Sequence, residues 1–408
     1  MISPSFAQQK LDSIIKAREQ INIAHQIERD SLKNLLRIEK LEELAQSNPD
    51  TVKNIFLSNL GLQHAPDFCQ YQQANIIRCN GNEIAKIRKS TWPKSDSLKT
   101  ITLSGNKLRR VHFKRNHSIT HVDLSENKLK RIPRSVRKLH SLRSLDLSKN
   151  KIRRIPYFIK TMDSLVELKL NYNQLKSLSK RDIKKLQNLK SIHIGANELK
   201  SIPENIGILK QIETINIGIN QLTSLPSSFA QLSSLEHLIF YRNEFDEIPK
   251  EIWSLSKLKE IDFYHNNIHE IPVSIGSLKN LEQIYLAYNK IDQIPDTLFT
   301  LKQLKALYLH HNKLIMVPAK ITQLSSLQFL DLGYNQIFEI PDLSALSGLL
   351  EIDLQENSLS EFPYELTEIK SLRRVFLMGN PFVMTKDERA TMDLLRKELG
   401  ELGIQLFF

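Results

Sequence analysis

The stretch SLRSLDLSKNKI, residues 141–152, carries the pattern that decides the fold. Its skeleton is LxxLxLxxNxL, in which Leu145 and Leu147 alternate with polar neighbours before Asn150. The skeleton recurs down most of the chain at steps that centre on 23 residues, and such a fixed period predicts a repeat protein. The equivalent asparagines are Asn82, Asn106, Asn127, Asn150, Asn173, Asn197, Asn220, Asn243, Asn266, Asn289, Asn312, Asn335, Asn357 and Asn380.

Prolines support the same period. Ten of the 15 prolines lie six residues after one of these asparagines, as Pro156 follows Asn150. Pro66 lies six residues after Leu60, so we interpret Leu60 as occupying the asparagine position of a degenerate first repeat. Terminal repeats are often atypical because they have a neighbour on one side only. The proline is absent after Asn82, Asn106 and Asn173, and also after Asn380 at the end of the array.

Each recurring feature of the repeat unit has a physical reason. Two apolar residues at alternate positions point to one side of a short strand, and stacked repeats bury them under a parallel sheet. The asparagine amide can both donate and accept, so we expect it to satisfy backbone groups where the chain turns away from the strand. Proline fixes φ and needs no donor where the chain begins its return along the outer surface.

This pattern closely resembles the leucine-rich repeat family, and the resemblance covers roughly residues 50 to 382. The 23-residue unit with Ile-Pro after the asparagine is similar to the intracellular Ras-group-related, or Ras-suppressor-like, class. The resemblance implies an α/β fold, a right-handed, horseshoe-shaped solenoid with a parallel β-sheet on its concave side. It also implies protein–protein recognition. The secreted classes of the family carry cysteine-rich flanking caps, whereas this chain has only Cys69 and Cys79.

Both ends of the array need caps, because the first and last repeats expose apolar core. Residues 1–49 have apolar side chains at mostly helical spacing, which predicts two helices with a break near Asp30-Ser31. We interpret this segment as a helical cap over the first repeat. The alternative is a separate partner-binding or coiled-coil element.

Residues 383–408 are interpreted as the C-terminal cap. Thr385 and Glu388 have the spacing of a capping box, and Gly400 is a candidate helix stop. Residues 403–408 are expected to add an extended segment. The apolar residues that share the predicted helix face are Met392, Leu395 and Leu399.

Register predicts which side chains line the concave face: those six, four and two positions before each asparagine, with the preceding residue at the rim. In the first repeats these positions hold small or polar residues, whereas from Asn243 to Asn335 they become aromatic. An exposed aromatic patch on a soluble protein usually marks an interaction site, although rings on adjacent strands also stabilise a sheet. The predicted partner-binding residues are His237, Tyr241, Arg242, Tyr264, His265, Tyr285, Tyr288, Tyr308, His310, His311, Phe329 and Tyr334.

The positive charge is concentrated in one part of the chain. The formal net charge is +12, but residues 84–160 alone hold 22 Lys and Arg against four acids. Cations recur one, three and four positions after three successive asparagines, so we expect them to stack into a ridge along the turn edge. We call these residues the basic ridge: Lys107, Arg109, Arg110, Lys128, Lys130, Arg131, Lys151, Arg153 and Arg154.

The sequence favours no catalytic residue, metal or cofactor. It contains no Gly-rich phosphate loop, HExxH, nucleophile elbow or kinase signature. The histidines His265, His310 and His311 lie near Asp262 in register, but strands two repeats apart are separated by roughly 10 Å, too far for one zinc centre. Cys79 falls in a core position and is expected to be an inert buried thiol.

The apolar fraction of 41% is that of a folded, soluble chain. Because the start lacks the layout of a signal peptide and no apolar run is long enough to span a bilayer, we expect a cytoplasmic protein. The leading hypothesis is a non-catalytic scaffold, active in intracellular signalling, that binds a protein partner on the concave face while the basic ridge steers an acidic portion of that partner.

The alternative hypothesis is an adaptor for an anionic surface, in which the basic ridge is the primary site. A membrane surface stays open as the ligand. A nucleic acid is disfavoured, because no aromatic side chain interleaves the cations to stack on bases.

Overall fold

The computed structural model describes residues 22, 26, 28–382, 396, 400 and 403–408. The chain divides into two compact units, Met1–Lys151 and Ile152–Phe408. Each unit is built from stacked repeats in which a three-residue strand is followed by a turn and, in many repeats, a short 3₁₀ helix.

In the first unit the repeat strands β1, β2, β4, β6 and β7 are parallel neighbours in that order, and β3 pairs with β5 in a separate two-stranded sheet. The strands are Asn54–Phe56 (β1), Ile76–Arg78 (β2), Lys86–Ile87 (β3), Thr100–Thr102 (β4), Arg110–Val111 (β5), His121–Asp123 (β6) and Ser144–Asp146 (β7). Residues 28–46 are α-helical. The 3₁₀ helices are Lys89–Thr91 and Arg134–Lys138.

In the second unit eleven strands form a parallel sheet in chain order, which is the arrangement that the repeats predict. They are Glu167–Lys169 (β8), Ser191–His193 (β9), Thr214–Asn216 (β10), His237–Ile239 (β11), Glu260–Asp262 (β12), Gln283–Tyr285 (β13), Ala306–Tyr308 (β14), Phe329–Asp331 (β15), Glu351–Asp353 (β16), Arg374–Phe376 (β17) and Gln405–Phe407 (β18). The helices whose bounds are described are Tyr157–Thr161, Ile206–Ile208, Ser227–Gln231, Lys250–Ser254, Val273–Ser277, Asp296–Thr300, Ala319–Gln323 and Tyr364–Glu368, all 3₁₀, and the α-helical turn Lys180–Ile183.

The strands bury alternate residues, as the sequence pattern predicts. In the repeat quoted first, Leu145 and Leu147 are fully buried, while Asp146 between them is only partly covered. Most repeat strands show the same order, with a buried central residue between two more exposed ones. This alternation sets every repeat's leucines and isoleucines in the core and leaves the other face of the sheet to polar and aromatic side chains.

The repeated asparagine bonds its own repeat to the preceding one. The side-chain amide of Asn127 donates to the carbonyl oxygens of Leu124 and Leu103, at 3.1 and 2.9 Å. Its Oδ1 accepts from the backbone N–H of Leu108, at 2.9 Å. Because the asparagine is buried, its amide supplies hydrogen-bond partners to backbone groups that water does not reach.

Prolines begin the return segments in the predicted way. The carbonyl oxygen of Pro133 accepts from the N–H of Val136, at 3.0 Å, as a 3₁₀ helix starts. After Asn106, where the proline is absent, His112 occupies its position and donates its N–H to the carbonyl oxygen of Ile87, at 3.2 Å. A proline could not donate this bond. The missing proline therefore coincides with the place where the extra strand pair β3–β5 forms.

At the N-terminal end, Leu60 occupies the asparagine position of the degenerate first repeat, and its N–H donates to Oδ1 of Asn82, at 3.0 Å. The predicted break near Asp30-Ser31 is wrong, because residues 28–46 form one uninterrupted helix. Leu32 and Leu35 of this helix are exposed.

At the C-terminal end, the capping box of Thr385 and Glu388 and the apolar face of Met392, Leu395 and Leu399 lie outside the described residues. Gly400, the predicted helix stop, is itself helical, and the left-handed backbone follows at Gly403, with φ of 80°. The expected extended segment is present as strand β18, which pairs with β17.

The residue before the ladder asparagine has a left-handed backbone in most repeats. Glycine supplies this conformation at Gly81, Gly105 and Gly379, and side chains adopt it elsewhere at φ values between 50° and 57°. Ile219, with φ of 53°, is the costliest of these, because a β-branched side chain at positive φ clashes with its own backbone.

We therefore expect Ile219→Asn to stabilise the protein by about 1 kcal/mol, because asparagine tolerates the left-handed region far better than isoleucine. Ile219→Val keeps the β-branch and serves as the matched control, with no gain expected. Urea denaturation of the three proteins checks the prediction, and equal midpoints for the asparagine and valine variants would contradict it.

Candidate functional site

The predicted partner-binding residues all lie on the strand face of the second unit or at its rim, and none is in the core. Strand positions hold His237, Tyr285, Tyr308 and Phe329, and the other eight lie in the turns that follow. The exposed members are Arg242, His265, Tyr288 and Tyr334, and the remaining eight are partly buried. We call these twelve residues the aromatic face.

Rim residues of successive repeats form a continuous stack of rings. The ring centroids of His265 and Tyr288 are 5.8 Å apart, those of Tyr288 and His311 4.0 Å, and those of His311 and Tyr334 4.1 Å. These are the left-handed residues that precede the ladder asparagines, so the backbone turn repeats the ring position in each unit. The stack leaves Tyr288 and Tyr334 about two-fifths exposed, at 38% and 42%.

A second set of rings lies on the strands and in the turns that follow them. Tyr285 and Tyr308 stack in parallel at 4.9 Å, and Tyr264 meets Tyr288 edge to face at 5.1 Å. Partial burial raises the pKa of Tyr264, Tyr285 and Tyr308. Tyr264 is thereby joined to the rim stack, whereas Tyr285 and Tyr308 form a separate pair on adjacent strands.

Other predicted residues lie outside both of these groups. Tyr241 rests against the backbone of Gly218, where an added Cβ would come within 2.2 Å of its ring. His237 lies 2.8 Å from Oε2 of Glu260, and Phe329 makes no ring contact within the described residues.

The sequence analysis named Asp262 only as a neighbour of the histidines and did not predict that aspartates of the strand face are partly buried. Burial raises the pKa of Asp262 to about 6 and that of Asp353 to about 6. Asp331, at the same repeat position, lies 2.8 Å from Nδ1 of His310. The signal was available, because an aspartate recurs four positions before several ladder asparagines, but the repeat pattern does not reveal how deeply each one is covered.

The histidine cluster does not gather metal ligands. His310 and His311 contact each other at 5.7 Å between ring centroids, but both also pack against Tyr288. Desolvation lowers the pKa of His311, which therefore favours the neutral ring. Among the described residues, no three histidine, cysteine or acidic side chains are grouped to hold a metal ion.

Cys79 is fully buried, and burial raises the pKa of its thiol to about 12.

The basic ridge is exposed at all nine positions. In the first unit, ridge residues line a concave surface cavity of about 850 Å³, which we call the basic cavity. Arg134, from the following 3₁₀ helix, adds a further cation. The residues that line the cavity are Arg109, Arg110, Val111, His112, Lys128, Leu129, Lys130, Arg131, Ile132, Pro133, Arg134, Ser135 and Lys151.

The parallel strands, the asparagine ladder and the buried leucines together define a solenoid of leucine-rich repeats. Sequence profiles agree: the profile described as "Leucine-rich repeat region" matches residues 168–265 and 246–375, and that described as "Leucine rich repeat" matches residues 97–152. These matches cover more than half of the chain. The protein belongs to the leucine-rich repeat family, whose members are typically non-catalytic scaffolds and commonly bind proteins.

Solved structures with the same fold include bacterial and plant proteins. The leucine-rich repeat protein LIC12759 of Leptospira interrogans is 28% identical with a TM-score of 0.72, over 88% of this chain and 97% of that one. The internalin InlF of Listeria monocytogenes is 20% identical with a TM-score of 0.62, over 82% and 86%. The plant peptide hormone receptor RGFR1, solved with RGF2, is 21% identical with a TM-score of 0.51, over 77% and 64%.

No curated protein matches the sequence. Among the helices of the described residues, none has the length and apolar character needed to cross a membrane.

Proposed function

We propose that the protein is a non-catalytic scaffold that binds a protein partner on the aromatic face. The observation that carries this proposal is the rim stack of His265, Tyr288, His311 and Tyr334, which presents two tyrosines to solvent. A tyrosine offers a rigid apolar ring with a polar tip, and such rings commonly anchor interfaces. Stacking fixes these rings before binding, so little side-chain entropy remains to be lost on association.

The subclass of the family, the cellular role and the use of the basic ridge in this proposal rest on the sequence. The 23-residue Ile-Pro repeat supports the Ras-suppressor-like class and a place in cytoplasmic signalling. The exposed basic ridge supports steering of an acidic portion of the same partner, since clustered charges raise association rates. The histidines of the aromatic face serve as contact residues in this proposal, not as catalysts.

The double substitution Tyr288→Ala/Tyr334→Ala is expected to weaken partner binding at least about thirtyfold, since truncating a central aromatic anchor commonly costs about 2 kcal/mol or more. Capture from cell extract on immobilised protein, with quantitative mass spectrometry and a titration of the captured partner, measures the loss. Persistence of the loss at high salt is expected, because apolar contacts are not screened.

The matched control is Tyr157→Ala/Tyr364→Ala. Tyr157 and Tyr364 are exposed tyrosines in 3₁₀ helices of the same unit, away from the strand face. A partner retained by the parent and by this control, but lost from the aromatic-face variant, supports the proposal. Equal loss from both variants, with circular dichroism confirming that each is folded, would refute it.

A further inference from the structure

We propose that the basic cavity of the first unit binds a compact ligand carrying several phosphate groups. Of the thirteen residues that line the cavity, seven are lysine or arginine and none is acidic. Six of these seven cations belong to the basic ridge, to which the proposed function gives only the steering of a protein partner. The inference goes beyond that role and does not rest on partner binding at the aromatic face.

The cavity cations lack the acidic partners that nearby cations have. Lys107 lies 3.1 Å from Glu83, and Lys149 lies 2.7 Å from Glu126, so neutralising pairs do form in this unit. Within the described residues, no ion pair joins an acid to any of the seven lysines and arginines that line the cavity. Their mutual repulsion is therefore left uncompensated, and it falls when an anion enters.

The repeat itself does not require these cations. Arg109 and Arg110 lie three and four positions after Asn106, and Lys130 and Arg131 hold the same positions after Asn127. In a later repeat the same two positions hold Asp246 and Glu247, which come after Asn243. Asn243 nonetheless makes the usual ladder bonds, to Ile217 and Phe240. Because the repeat folds equally with acids there, stability alone does not account for the cations.

The backbone holds the cations at fixed spacing. The N–H of Lys128 donates to the carbonyl oxygen of Leu108, at 3.0 Å, and that of Lys151 donates to Leu129, at 2.9 Å. Arg110 belongs to β5, which pairs with β3. Adjacent parallel strands lie about 4.8 Å apart, so equivalent cations of successive repeats stand close enough to contact neighbouring oxygens of one ligand.

The volume of the basic cavity and the number of its cations favour a compact ligand with several phosphates. A volume of about 850 Å³ lies within the usual range of small-molecule sites. A phosphate ester carries a charge of about −1.5 to −2, so about four phosphates balance seven cations, whereas seven carboxylates would have to share the same space. Four of the seven cations are arginines, whose planar guanidinium groups bind phosphate oxygens in pairs. Tyrosine, phenylalanine and tryptophan are absent from the lining, so bases of a nucleic acid would find no stacking surface.

Isothermal titration calorimetry of the full chain with inositol hexakisphosphate, at about 0.15 M salt, tests the proposal. One-to-one binding is expected, together with a higher melting temperature in the presence of the ligand. Arg109→Ala/Arg131→Ala/Arg134→Ala is expected to weaken binding at least about tenfold. The matched control is Arg115→Ala/Arg137→Ala/Arg143→Ala, which removes three exposed arginines of the same unit from outside the cavity and should change affinity by no more than about twofold.

Further titrations separate the sources of phosphate. Binding to vesicles that contain phosphatidylinositol bisphosphate, lost in the cavity variant and competed by inositol hexakisphosphate, identifies a lipid headgroup. Binding of inositol hexakisphosphate without vesicle binding identifies a free ligand, and either result supports the proposal. Three results would overturn it: absence of binding, equal loss in both arginine variants, or cavity-dependent binding of single-stranded DNA or polyglutamate without binding of inositol hexakisphosphate.

Discussion

Asn266→Ala is expected to lower the free energy of unfolding by about 4 kcal/mol. The amide nitrogen of Asn266 donates to the carbonyl oxygens of Phe240 and Phe263, at 3.1 and 3.0 Å, and Oδ1 accepts from the N–H of Phe245, at 3.2 Å. Alanine leaves the buried N–H of Phe245 without a partner, which costs about 1–3 kcal/mol. It also removes one of two amide bonds from each carbonyl, because Asn243 still donates to Phe240 and Asn289 to Phe263, and each lost bond costs about 0.5–1.5 kcal/mol. Two of the three backbone groups belong to the preceding repeat, so the substitution weakens the contact between repeats, on which a solenoid depends.

Asn267 provides the matched control because it is the next residue along the chain. Its backbone N–H donates to Phe245, at 2.8 Å, and alanine retains this bond. Asn267→Ala should therefore change stability by no more than about 0.5 kcal/mol. Urea denaturation followed by circular dichroism measures both variants, and a similar midpoint for the two would contradict the ladder's role.

The sequence predicted the architecture because one short-range pattern determines it. Strand positions, buried leucines and the asparagine amide all depend on register, which a 23-residue period fixes from Asn197 to Asn335. Register also predicted the directions of Tyr288 and Tyr334. The break in the N-terminal helix was predicted wrongly, because Asp30-Ser31 is a weak helix stop without glycine or proline, and the helix continues through it.

The properties of the candidate sites depend on distances between side chains of neighbouring repeats, and the repeat period does not specify those distances. Stacking of Tyr288 on His311 at 4.0 Å requires the left-handed backbone at both positions, and only glycines at the equivalent positions of other repeats hinted at it. The basic ridge was predicted as a stripe of cations, but its concavity was not. The burial of Asp262 was missed for a related reason: it depends on how the neighbouring repeats pack, and their strands place Ile239 and Tyr285 on either side of it.

Asp262→Asn is expected to stabilise the protein by about 3 kcal/mol above about pH 7 and to have little effect below about pH 4. Burial raises the pKa of Asp262 to about 6 from an ordinary 3.8, so the folded state binds a proton that the unfolded state has released between these values. The contribution of Asp262 to the stability of the parent protein therefore falls as pH rises through that window, and above it the folded protein carries a poorly solvated charge at this position. Asparagine removes the charge at every pH.

The substitution preserves the local structure, which makes its effect interpretable. Oδ1 of Asp262 accepts from the N–H of Tyr264, at 2.9 Å, and an asparagine oxygen can accept the same bond. The chain already contains that arrangement, because Asn216 holds the equivalent position and accepts from Gly218, at 3.1 Å. Exposed Asp292, changed to asparagine, is the control, with no more than about 0.5 kcal/mol expected.

Denaturation midpoints measured at intervals between about pH 4 and pH 8 test the sign as well as the size, since the gain of Asp262→Asn over the parent must grow as pH rises. A constant gain would mean that the asparagine acts through packing and not through the charge. A loss at high pH would mean that the carboxylate is stabilised where it lies. The predicted result would mean that the ionised carboxylate of Asp262 destabilises the folded protein beside the aromatic face. A cationic group of the proposed partner would offset that destabilisation.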